Sequence, residues 1–301
     1  MFDLIMQLQD WVPIPEYNET VYWDSLSINP NAVSMLKNNK VNINWNNFSK
    51  NPYGGRLLVD NYMECDWYYL SKNPAALSIL ISNKNLIYWG SFSSNESIDA
   101  IQILEENQDN IEWFSLSGNP NAIRLLENNQ DKIYWQVLSG NPNAIHLLEN
   151  NQYNINWAML SGNPNAIRLL ENNQDKIYWR VLSGNPNAIH LLENNQDKID
   201  WAMLSGNPNA IRLLENNQDK IDWRVVSGNP NAIRLLENNQ DKIDWGVLYR
   251  NPCIFKIDQY NMLQNCMLFA EELMLTVFAP IRLNKIAEKT DQSFMEVLNS
   301  Y

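Results

Sequence analysis

Tryptophan recurs along this chain at a fixed step. Trp23, Trp45, Trp67 and Trp89 stand 22 residues apart, as do Trp113, Trp135, Trp157, Trp179, Trp201, Trp223 and Trp245, with a single step of 24 from Trp89 to Trp113. A fixed period of this length constrains the fold more than any other feature, because one short unit cannot bury its apolar face alone and must stack on its neighbours. The 301 residues therefore count modules, eleven in all, and not one or two ordinary domains. Trp11 falls outside the period. Residues 1–22 are read as an atypical N-terminal cap, 23–250 as the repeat array, and 251–301 as a C-terminal helical cap.

The central units, such as "SGNPNAIRLLENNQDKIYW" at 117–135, are nearly identical, which recent duplication alone explains. The divergent units from Trp23 to Trp113 are more informative. Ser recurs four residues after the Trp (Ser27, Ser49, Ser71, Ser93) and Asn six after it (Asn29, Asn51, Asn73, Asn95), while Leu36, Leu58, Leu80 and Leu104 hold a third column. Pro follows the Asn in ten of eleven units. Asn is a favoured N-cap and Pro suits the first helical position, so a helix is expected to start at each Pro. The exception is "NESIDAI", where the two extra residues of the long step fall.

From Pro142, Ala144, Ile145, Leu147 and Leu148 make one apolar face, and Asn143, His146 and Glu149 fall opposite. A second apolar group, Ile133, Trp135, Val137 and Leu138, suits a second short helix. Two helices of about eight residues and two turns fill the period, whereas the strand pattern of leucine-rich repeats is missing. The expected fold is all-α, an α-solenoid of helical hairpins with a cap at each end. The Trp column is read as packing between units, and Trp179→Ala is expected to cost about 3–5 kcal/mol. Ile28, Lys50 and Lys72 stand where later units have Gly, so that turn needs no left-handed backbone.

A net charge of −12 opposes binding along a phosphate backbone, which draws on Lys and Arg. Cys65, Cys253 and Cys266 are too few and too scattered for a disulfide framework or a metal-ligand spacing. Cys65 stands where Ile precedes other Trp residues and reads as a small hydrophobe. The N-terminus has no signal-peptide pattern. The apolar stretch at 262–281 carries Glu271 and Glu272 and reads as a buried or capping helix, with no membrane span.

The exposed columns carry the only chemically varied positions. They comprise Asn121, Asn143, Asn165, Asn187, Asn209 and Asn231, and three residues further on Arg124, His146, Arg168, His190, Arg212 and Arg234. Asn143, Asn165, Asn187 and Asn209 with the six Arg and His residues form the candidate partner-binding surface. Arg124 with Glu127, and Arg168 with Glu171, are expected to pair within a helix. His146 and His190 sit two units apart, too far to share a metal. No cofactor site and no catalytic constellation stands out, as near-identical units lack the unique arrangement that catalysis needs.

The unit, with the ending "WGVLYRNPCIFKID" and "EELMLTVFAPIRLNKIAE", resembles a Trp/Asn-Pro helical-repeat family encoded by giant DNA viruses of amoebae, the mimivirus relatives. The resemblance covers nearly the whole chain. It implies a viral protein acting during infection and brings no activity with it. The expected role is a non-catalytic scaffold with a host or viral protein partner, in the host cytoplasm or the virion. The alternatives are a nucleic-acid reader of the one-base-per-repeat kind, which the charge disfavours, and a structural component of virion or replication site.

Overall fold

The computed structural model describes residues 6–16 and 18–258. Residues 8–255 form one compact unit, an all-α repeat array. Each repeat has an A helix beginning at or just before the Trp and a B helix of the Ile-Arg/His-Leu-Leu-Glu type. In the eighth repeat these are Trp179–Ser183 and Ile189–Glu193, followed by a 3-10 turn, Gln196–Lys198. The α-helix thus begins at Ile189 and not at Pro186. Asn185 caps a tight turn first, with its Oδ1 accepting Asn187 N–H at 3.0 Å and its carbonyl accepting Ala188 N–H at 3.1 Å. The tight turn uses the Pro, and only then does the backbone relax into α geometry. The long step is absorbed by a nine-residue B helix, Ile98–Glu106.

The core is columnar. Leu182 and Leu192, with Ala188 between them, have no exposed surface, and their counterparts repeat in unit after unit. Trp179 itself is only half-buried. Lys198 Nζ lies 4.4 Å above its ring, an arrangement repeated at Lys132 on Trp113, Lys176 on Trp157, Lys220 on Trp201 and Lys242 on Trp223. The Trp column therefore lies at the surface of the core and not within it, with a cation over its open face.

The buried polar columns stitch the units together. Asn185 Nδ2 donates to the carbonyls of Ser161 and Asn163 in the preceding unit, both at 3.0 Å. Ser183 Oγ donates to the Trp179 carbonyl at 2.8 Å and accepts the Asp200 N–H of the next unit at 3.0 Å. Both residues are fully buried, and a buried polar group is tolerated when so paired. This is why Ser and Asn persist where the rest of the unit diverges.

The same stitching joins the last unit to the first. Asn29 Nδ2 donates to the carbonyls of Tyr249 at 2.9 Å and Asn251 at 3.0 Å, occupying the roles that Ser161 and Asn163 play for Asn185. Asn31 Nδ2 reaches the Pro252 carbonyl at 2.9 Å, and Ser25 Oγ the Gly246 carbonyl at 2.8 Å. The array is therefore a closed ring of eleven units, each turning the chain by about 33°, one eleventh of a circle. Successive A helices approach more closely than successive B helices. With the same number of each in one circuit, the A helices lie nearer the ring axis.

The closing junction has its own chemistry. Tyr249 replaces the Ser of other units; its ring lies 4.9 Å from that of Tyr22 and its hydroxyl donates to the Pro13 carbonyl at 2.8 Å. Burial raises the Tyr249 phenol above the ordinary tyrosine range, with Glu19 and Tyr22 adding to the effect. Trp11 stands 6.4 Å from Trp245, so residues 8–16 of the stretch read as a cap lie against the junction between unit eleven and unit one. Met6–Leu8 (β1) pairs with Phe255–Ile257 (β2) in a two-stranded sheet. The apolar stretch at 262–281, and all of the 251–301 cap beyond Asp258, lie outside the described residues.

Candidate interaction surface

The exposed Asn column is half-committed. Asn143, Asn165, Asn187 and Asn209 each donate from Nδ2 to the Pro carbonyl of the unit before, at 2.9 Å, and Asn231 does the same. Their side chains stay exposed, with Oδ1 and one N–H directed away from that bond. They serve as outer stitches between B-helix starts as well as surface.

The Arg/His column pairs across units and not within helices, contrary to the sequence expectation. Arg124 Nη2 meets Glu105 at 3.4 Å, His146 Nε2 meets Glu127 at 2.7 Å, His190 Nε2 meets Glu171 at 2.7 Å, and Arg212 Nη2 meets Glu193 at 3.0 Å. Glu127 and Glu171, expected to serve Arg124 and Arg168, are thus held by the following unit's His. Stacking of successive units sets each B helix beside the last and brings the glutamate of the preceding unit within reach. Arg168 and Arg234 hold the same position with no ion-pair partner among the described residues. All these pairs are solvent-exposed and add little to stability.

On the A side, sequence reading missed a second seam. The residue two after each Trp packs on the Gly of the unit before: a Cβ on Gly118 would stand 3.1 Å from Val137 Cγ1, and one on Gly140 3.3 Å from Met159 Cε. Gly118 and its equivalents have negative φ, so the glycine is there for close approach and not for a left-handed turn. Where the Gly is absent, the partner changes. Lys50 Nζ sits 4.0 Å over the ring of Tyr69. In several units the residue after the Trp also meets the one before the next Trp: Tyr68 with Tyr88 at 6.2 Å, Phe114 with Tyr134 at 5.5 Å, Arg180 with Asp200 at 3.6 Å and Arg224 with Asp244 at 3.8 Å. The pairing was visible in the sequence only by comparing positions 20 residues apart.

The one buried thiol described is not an activated one. Cys65 is buried, its Sγ against the Asn61 carbonyl at 3.6 Å, and burial raises its thiol, the opposite of nucleophile activation. Among the described residues no cluster of three or more His, Cys, Asp or Glu side chains could hold a metal ion, and no helix is long and apolar enough to cross a membrane.

Fold and surface together define a closed all-α repeat ring. Comparison with family models, curated proteins and solved structures returned no match for the chain.

Proposed function

We propose that this chain is a non-catalytic scaffold that binds a protein partner along the exposed B-helix columns. The observation that carries the reading is the closure itself. Units that satisfy their own cores and polar columns around a full circuit leave the Asn, Arg and Glu columns presented at fixed spacing. A preorganised surface saves the ordering cost of binding. The resemblance noted above supports a role in viral infection, with a host or viral partner in the host cytoplasm or the virion.

Arg168 and Arg234 are the residues to reverse, because neither contributes an internal ion pair among the described residues. Tagged protein is recovered from infected amoebae, with and without nuclease, beside the Arg168→Glu/Arg234→Glu variant. A protein partner retained after nuclease and weakened at least about tenfold by the reversal supports the reading. Loss of every partner on nuclease treatment, or identical recovery by the variant, overturns it.

A further inference from the structure

One stretch of the A-side seam departs from the Gly-on-Val packing and leaves space. In units three to five, Lys72 and Ser94 replace the Gly, and Ser91 and Ser115 replace the Val or Met that would pack upon it. The small serines leave a groove of about 330 Å³, bounded also by Tyr68, Tyr88 and Trp89. That is the lower end of the range for small-molecule sites, about 300–1,000 Å³. Open grooves at Trp157 and at Trp23 are lined instead by the start of an A helix and the residues of the 3-10 turn that leads to the next Trp.

The groove has an unmet polar demand. Ser91 is buried, 7% exposed, and its Oγ is the one buried side-chain oxygen without a hydrogen-bond partner among the described residues. Such a group is costly unless something satisfies it. Lys72 adds a second. The equivalent Lys50 rests on Tyr69, but one unit on, Ser91 stands in the place of that ring, and exposed Lys72 has no ion-pair partner among the described residues. The Glu112 side chain, which lies against Gly90 of the lining, is engaged in capping the next A helix, accepting the N–H groups of Phe114 at 3.2 Å and Ser115 at 2.7 Å.

We propose that this groove binds a small aromatic anion. The planar ring packs against the edge-to-face pair of Tyr68 and Tyr88 and the Trp89 wall. Its phosphate or carboxylate takes the Lys72 ammonium and the hydroxyl of Ser91, with Ser94 and Ser115 within the same lining. The site is independent of the protein-binding reading, since it lies on the A side and uses none of the B-helix columns.

Calorimetric titration of the full chain with phenyl phosphate and with benzoate tests it, with phenol and inorganic phosphate as half-ligands. The variants are Lys72→Ala, and Ser91→Val, which restores the array's own residue and fills the space. Lys176→Ala, at Trp157, is the control. The expected result is binding of one of the aromatic anions at least about tenfold tighter than either half-ligand. It is weakened about tenfold or more by Lys72→Ala, abolished by Ser91→Val and unchanged in Lys176→Ala. No binding of either anion at millimolar concentration overturns the proposal, as does binding that both groove variants leave intact. Phenol binding as tightly as the anions overturns it too.

Discussion

Asn185 does three things with one amide: it caps its own turn through Oδ1 and donates twice to the unit before. Asn185→Ala is expected to cost about 2–4 kcal/mol, combining a lost cap with two buried carbonyls left unpaired, read by thermal or denaturant unfolding. Asn185→Asp is expected to be worse at neutral pH, because a buried carboxylate would face those same carbonyls. Burial there raises the folded-state carboxyl above its unfolded value near about 3.9. The stability held by the protonated form is complete below that value and is lost as pH rises through the raised one. The gap between Asn185→Asp and Asn185→Ala should therefore widen from pH 5 to pH 7.5, and a pH-independent gap would contradict the assignment. Trp179, half-open under Lys198, is expected to cost about 2–3 kcal/mol when cut to Ala, less than the fully buried Leu192 at about 3–5 kcal/mol. The capping role of Asn was legible from its place before Pro. Its second role was not, because the acceptors lie 22 and 24 residues back and spacing alone does not name them.

The helices are too short to persist alone. Most have four to six residues, well under the dozen or so that an isolated helix needs, so each element exists by virtue of the next. The two-helix unit was legible from its two apolar groups. The shift of the helix start to Ile189 and the 3-10 turn at Gln196–Lys198 were not, since propensity does not distinguish a capped tight turn from a first helical turn. Deleting one unit separates an open stack from a ring. Removal of residues 158–179 joins Trp157 to Arg180 in register and costs an open array one nearest-neighbour interface. A ring must instead widen every junction from about 33° to about 36°. The deletion is expected to lower the melting temperature by about 10 °C or more, and a shift of a degree or two would favour an open stack.

At the scale of the whole array, the period and the all-α class could be read from sequence, but closure could not. The rotation per unit is set by how Gly and Val, Asn and carbonyl, and His and Glu meet across junctions. A change of a few degrees in that angle would leave the sequence pattern untouched. Two irregularities were clues in retrospect: Tyr249 at a Ser position, and Trp11 ahead of the period, both now found at the closing junction. Closure also predicts the outcome of a direct cross-link. A Cβ on Gly246 would stand 3.9 Å from Val21 Cγ1, the position the sulfur of Val21→Cys would take, so a small side-chain adjustment brings the two into disulfide range although 225 residues separate them. The chain carrying Val21→Cys and Gly246→Cys, with Cys65, Cys253 and Cys266 changed to Ala, is oxidised as a monomer and run unreduced under denaturing conditions. A closed ring gives a fast-migrating intramolecular species in high yield that reverts on reduction. Failure to cross-link, or cross-linking only between chains, would contradict closure.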